Sequence, residues 1–265
     1  MILIIIGSIL ILLTVISIVG IVSFNASIEK EKVLLFDKNR EIDAKITLKD
    51  LDDFPDLMKN YLSKVKIVGK SKYCNAIFTQ KGQIRTNPEK KWLPFFATQY
   101  MSSNNFGFIW KAKALPMLIR DKYTNGKGEV KVSVLGLKNI VLFSGQKVDQ
   151  SSLGRYLGEL IWFPIGFLNS DISWEAIDYR TIKATVVKEN HTLEGFFIFN
   201  QNGMIDHFKT KRYRDTELED FIGELGEYED YNGLLIPNTM TAIWDLKKGK
   251  QKYFKATILD YKLMN

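Results

Sequence analysis

The sequence predicts a mainly β domain of α+β type: a curved antiparallel sheet or half-barrel, covered by one central helix and preceded by one N-terminal transmembrane helix. Three observations carry this. Short segments of period two recur from Lys72 to the C-terminus, joined by turn pairs such as Asn125-Gly126 and Asn232-Gly233. The polar part of the chain holds one long helical pattern, Asp149 to Leu168, with strand-like segments on both sides of it. Few of these segments are apolar on both faces and none alternates with helices, which argues for one curved sheet over a sandwich or a parallel βαβ sheet. No internal repeat is apparent.

The N-terminal element comes first. Ile2 to Val22 contains no charged residue, and at ~1.5 Å per residue such a run crosses the ~30 Å hydrocarbon core of a bilayer. A cleaved signal peptide is the competing reading. The run has no basic segment before it and no small-residue cleavage site after it, Phe24-Asn25-Ala26 being a poor substitute, so a retained anchor is expected. The expected organisation is an anchor over 1–23, a charged connector over 24–50 and a β-rich domain over 51–265. Lys30, Lys32, Lys38 and Arg40 follow the span, which by the positive-inside bias would put the domain in the cytoplasm.

Phe54 to Val68 reads as a short helix opened by Pro55, and the period then changes to two. Tyr73 to Gln80 and Gln83 to Thr86 flank Lys81-Gly82 as a hairpin. Leu93 to Met101, Phe106 to Ala114, Met117 to Tyr123, Glu129 to Leu135 and Ile140 to Ser144 follow as strands. In the second of these Phe106, Phe108, Trp110 and Ala112 share one face. In the central helix Asp149, Ser151 and Ser152 offer capping oxygens. Leu153, Tyr156, Leu157, Leu160 and Ile161 form its apolar face, and Pro164 ends it. Tyr179 to Lys188, Leu193 to Asn200 and Met204 to Tyr213 resume the meander, the first two joined through Glu189-Asn190-His191. The acidic stretch from Arg214 to Leu225 interrupts it, and Gly226 to Tyr231, Leu234 to Leu246 and Gln251 to Leu263 complete it.

Composition narrows the chemistry. Charged residues at 25% and apolar residues at 46% describe a folded chain. One cysteine, Cys74, excludes an internal disulfide, and with His191 and His207 it falls short of a four-ligand zinc site, so neither metal nor cofactor is expected. A net charge of +7 favours anionic surfaces, but no nucleic-acid motif or basic helix accompanies the lysines. Nucleophile-elbow, Walker A and H-E-x-x-H patterns are absent.

Three charged residues remain as weak catalytic candidates. Asp121 lies on a strand face with Met117, Ile119 and Tyr123 and needs a partner, for which Arg212 is the candidate. Glu159 lies one turn after Arg155, as in a solvated i,i+4 pair. Against acid–base chemistry stands the structural reading, ion pairs that only hold the fold. The many aromatics are explained by a packed core or, in a half-barrel that leaves its concavity unfilled, by a lipophilic cavity. Its expected lining is Gln99, Phe108, Trp110, Tyr156, Leu160 and Trp162.

A resemblance attaches to these residues. Lys91 to Tyr100, Phe108-Ile109-Trp110, Asp121 with Tyr123 and Gly126, the series from Tyr156 to Pro164, Arg212-Tyr213 and Tyr231 to Pro237 resemble a bacterial family known only as a domain of unknown function. Its most specific part is the Y-L-x-E-x-x-W-x-P helix. Thr98 stands where the family's motif has an acidic residue, which weakens a catalytic role there. The segment with strand, Asn-Gly turn, strand and Ile-Pro is similar, more loosely, to lipoprotein-carrier half-barrels. Those bind acyl chains outside the cytoplasm, so this resemblance implies an extracytoplasmic domain, against the lysine count. The expected function is binding or carrying a lipid or other lipophilic ligand at the cell envelope. The alternatives are an enzyme acting on a membrane-derived substrate and a non-catalytic scaffold.

Overall fold

The computed structural model describes residues 1–36, 44–189 and 191–264. Residues 37–43 of the expected connector, and Asn190 of an expected turn, lie outside them. Helix α1 (Ile2–Leu35) is long and apolar enough to cross a membrane. It runs well past the apolar segment: Phe24, Ile28 and Leu35 pack against Tyr100, Ile109 and Leu118 on the outer face of the sheet. Residues 24–35 are therefore helical and attached to the sheet.

A short strap follows. Ile46 donates its N–H to the Lys70 carbonyl at 2.9 Å, and a tight helical turn covers Leu48–Leu51. The Asp50 carboxylate accepts from the Lys72 ammonium at 2.5 Å and from the Thr47 N–H at 2.7 Å, and these two contacts hold its carboxyl down at about 2. A carboxyl lowered on folding stabilises above its ordinary value of 3.8, and that contribution disappears as pH falls through about 2. Asp50→Asn should cost about 1 kcal/mol at pH 7, reduced by solvent screening at this partly exposed site. The deficit should shrink on acidification, as measured by urea unfolding at both ends of that range.

Helix α2 (Asp56–Lys64) then lays Met58, Tyr61 and Leu62 on the core. The first run of strands is β1 (Asn75–Ile84), β2 (Leu93–Ser102), β3 (Gly107–Ala114), β4 (Met117–Thr124), β5 (Lys127–Val134) and β6 (Lys138–Ser144). Helix α3 (Gln146–Glu159) comes next, and two tight helical turns continue it to Leu168. Beyond it lie β7 (Ile172–Asp178), β8 (Thr181–Lys188), β9 (His191–Phe199), β10 (Ile205–Arg214), β11 (Glu217–Leu225), β12 (Tyr228–Asp230), β13 (Leu235–Pro237), β14 (Thr239–Leu246) and β15 (Gly249–Met264). Thirteen of the strands form one antiparallel sheet in the order β6-β5-β4-β3-β2-β1-β15-β14-β11-β10-β9-β8-β7, and β12 pairs with β13 apart from it. The last strand returns to the middle and joins two meanders into one surface. Helix α3 crosses its concave face against β4, β5, β9 and β10. The curved sheet with its central helix is the expected fold.

Four local expectations are corrected. Lys81-Gly82 makes no hairpin: β1 runs through it, paired with β2 on one side and β15 on the other. The glycine serves a close approach, since a Cβ there would lie 2.1 Å from the Lys255 carbonyl oxygen. The acidic stretch does not interrupt the sheet but forms β11, where Asp220 pairs with Lys211 at 2.8 Å and Phe221 turns inward. Residues 172–178, left unassigned by the periodicity, form edge strand β7 on β8. The expected caps of α3 are used elsewhere. Asp149 accepts from the Gly128 N–H at 2.8 Å, and Ser151 donates to the Tyr213 carbonyl at 2.9 Å, both tying the helix to strands.

Candidate functional site

Helix α3 settles close to the sheet because its glycines permit it. A Cβ on Gly158 would lie 2.6 Å from the ring of Phe208. The expected apolar face of the helix is all buried, from Leu153 to Ile161. Beside it the concave face is not filled. A cavity of about 500 Å³ lies between α3 and the inner faces of β3–β5, β11 and β14–β15. Its wall is largely aliphatic and aromatic, with Ile119, Val132, Met240, Trp244 and Phe254 among its members. That volume is in the range of sites that enclose a small apolar ligand, ~300–1,000 Å³.

One end of the cavity is polar. Arg155 on α3 donates to Asp121 Oδ2 on β4 at 2.6 Å and to Glu159 Oε1 at 2.8 Å. Its guanidinium lies over the rings of Phe108 and Trp110, 4.7 and 5.1 Å from their centroids. Glu159 is completed by the Gln99 side-chain amide at 2.8 Å. Burial pushes the Glu159 carboxyl upward, against the pull of Arg155. Burial also works against the charge on Arg155, yet the two carboxylates outweigh it and hold the guanidinium above its ordinary range. The buried Asp121 Oδ1 takes no hydrogen bond among the described residues. Arg212 stands nearby, its Nε donating to the Ser151 carbonyl at 3.0 Å and its guanidinium 4.7 Å above the Phe221 ring. Among the described residues no carboxylate forms an ion pair with it.

The weak catalytic candidates Asp121, Glu159 and Arg212 thus all line the cavity, but their pairing differs from expectation. Asp121 is partnered by Arg155 and not by Arg212. The Arg155–Glu159 pair is buried and not a solvated surface pair, because α3 lies inside the curve of the sheet. Of the expected lining residues, Trp110 reaches the cavity wall. The other five pack elsewhere. Gln99 buttresses Glu159, and Phe108 lies under Arg155 and stacks on Tyr156. Tyr156 donates to the Ser102 carbonyl at 3.1 Å, while Trp162 donates to the Pro237 carbonyl at 2.9 Å and packs on Phe78. Leu160 is fully buried, against Gly166. Sequence reading missed Met240, Ala242 and Trp244, although their period-two spacing on one strand face was a usable signal. Among the described residues no group of three or more His, Cys, Asp or Glu side chains is placed to hold a metal ion.

Fold and cavity together define a half-barrel that encloses an apolar site with a charged end, following a helix able to span a membrane. Residues 44–256 match the family of unknown function DUF6544, and the chain belongs to that family. This bears out the resemblance carried by the Y-L-x-E-x-x-W-x-P helix. The chain is also similar to a LolA superfamily protein from Nitrosomonas europaea, at 13% identity over 78% of this chain and 94% of that one, with a TM-score of 0.46. A second similar structure is a domain assigned to outer membrane lipoprotein sorting in Vibrio parahaemolyticus, at 10% identity over 71% of this chain and 85% of that one, with a TM-score of 0.44. No curated protein matches the chain.

Proposed function

We propose that this protein is a membrane-anchored binder or carrier of an amphiphilic, lipid-like ligand at the cell envelope. The observation that carries the reading is the cavity beside α3: an apolar wall for a hydrocarbon chain, closed at one end by charged groups. The Asp121 Oδ1, without a hydrogen bond among the described residues, is an acceptor for a ligand hydroxyl, and Arg212, which forms no salt bridge among the described residues, is a donor for an anionic group. Buried apolar wall supplies affinity, and a few fixed polar groups set orientation.

The test is occupancy. A chain starting at Gly20 keeps the part of α1 that packs on the sheet and loses the exposed apolar segment. Purified without detergent, it should carry a bound mass of lipid size in native mass spectrometry, released on denaturation. A clean apo mass after expression in lipid-replete cells would remove the reading. A released species that is a cleaved lipid would move the assignment to an enzyme acting through Asp121 and Glu159.

A further inference from the structure

We infer that the cavity opens onto the bilayer surface itself: the domain docks its membrane-proximal rim on anionic lipid headgroups of the leaflet from which α1 emerges. What passes through the mouth rests on the binding reading above. The docking rests on three other observations.

The first is how α1 meets the sheet. From Ile2 to Val19 its large apolar side chains are exposed. Contact begins at Gly20, where a Cβ would lie 2.3 Å from the Leu135 carbonyl oxygen, in the turn between β5 and β6. It continues down the outer face through Phe24 and Ile28, with Glu31 accepting from Arg120 at 3.2 Å and Lys122 at 2.8 Å. It ends at the opposite edge, where the Asn105 amide donates to the Leu35 carbonyl at 2.8 Å. The helix therefore lies along the strands and its orientation is fixed by the domain. At ~1.5 Å per residue, the run from Ile2 to Val22 needs all of a ~30 Å bilayer core. The turn that touches Gly20 consequently sits at the bilayer interface.

The second is which end of the cavity is open. Antiparallel register brings the β3–β4 turn, the β5–β6 turn, the β1–β2 loop and the β14–β15 turn to that same interfacial end. The cavity residues Ile84, Leu93, Ala114, Met117 and Ile140 are strand ends there, whereas Arg155 and Glu159 of α3 close the far side. Around this mouth, large apolar side chains point to solvent: Leu115 is 70% exposed, Phe96 65%, Ile140 51% and Leu137 50%. Apolar groups gathered at the mouth of a pocket mark a contact surface.

The third is charge. The same rim carries Lys90, Lys91, Lys113, Lys138, Lys247 and Lys248, all exposed, against the exposed acids Glu89, Asp215 and Glu217. Lysines held next to a span attract an anionic leaflet, and the attraction falls off within a Debye length. An apolar rim studded with lysines beside a fixed anchor is complementary to a headgroup layer. A ligand there moves between leaflet and cavity without crossing water.

The experiment uses the full chain in phosphatidylcholine liposomes containing phosphatidylglycerol. Nitroxides are placed by Leu115→Cys, Leu137→Cys and, at the far end of the sheet, Asn202→Cys, each with Cys74→Ala. Collisions with oxygen and with a water-soluble nickel chelate then report depth. The Leu115 and Leu137 positions should favour oxygen, and Asn202 should favour the chelate. Charge reversal at Lys90, Lys91, Lys247 and Lys248 to Glu should make the Leu115 probe several-fold more accessible to the chelate. Chelate access at Leu115 equal to that at Asn202 overturns the inference. So does shielding from both reagents, which indicates a protein partner on the rim. Lipid-immersed probes on a protein that holds no lipid would keep the docking and remove the binding reading; a lipid-loaded protein with water-exposed probes would do the reverse.

Discussion

Replacing Arg155 with methionine should destabilise the domain by about 3–5 kcal/mol, the usual loss when a buried ion pair keeps its anions and loses its cation. Arg155 is the sole residue bonded to both Asp121 and Glu159 among the described residues, at 2.6 and 2.8 Å. Lysine should rescue poorly, because a single ammonium does not span two carboxylates as a planar guanidinium does. The triple variant with Asp121→Asn, Arg155→Met and Glu159→Gln should recover most of the loss, since it removes the stranded charges with the cation. Urea unfolding reads all three.

The pH dependence of that loss has a definite sign. Burial raises the Glu159 carboxyl from its ordinary 4.5 in the folded protein. A group raised on folding contributes stability that is full below its unfolded value and is lost as pH rises through its folded one. Without Arg155 the folded value rises further, so the deficit of Arg155→Met should grow with pH and be smallest in acid. A deficit independent of pH would mean that the cost comes from lost packing over Phe108 and Trp110, and the electrostatic account would be wrong.

Why was the sheet legible and this cluster not? The alternation in β3 needs two facts, a period of two and a buried face, and both are local. Turn pairs such as Asn125-Gly126 act locally as well. The Arg155–Asp121 contact joins a helix to a strand 34 positions away in sequence, and nothing local encodes it. The i,i+4 spacing did reveal the Arg155–Glu159 pair, but its burial depends on the sheet curving around α3. The same logic explains the errors of strand assignment. Lys81-Gly82 looks like a turn until β15 and β2 pair with it on both sides. The acids of β11 look like a loop until Lys211 of the neighbouring β10 and Lys252 of β15, one strand further along the sheet, meet them. In α1, Phe24, Ile28 and Leu35 do recur on one helical face, a signal hidden by the charges between them.

Cavity placement was the least legible feature, because it depends on which side chains fail to fill the concavity. Leu160 and Val132 separate the two outcomes. Leu160 lies on the expected face of α3 but is fully buried, its side chain against Gly166. Leu160→Trp therefore overpacks a filled core and should cost ~1–3 kcal/mol. Val132 is half-buried in the cavity wall, paired across the sheet with Ile119 and Val141. An indole there should extend into the cavity of about 500 Å³ without displacing a neighbour. Val132→Trp should leave unfolding stability within ~1 kcal/mol of the parent, as expected where added bulk meets no packed core. Its occupancy by lipid should fall at least tenfold, read as the ratio of bound to apo mass. If Val132→Trp retains full occupancy while Leu160→Trp loses it, the ligand lies under α3 and not in this cavity, and the site assigned above is the wrong one.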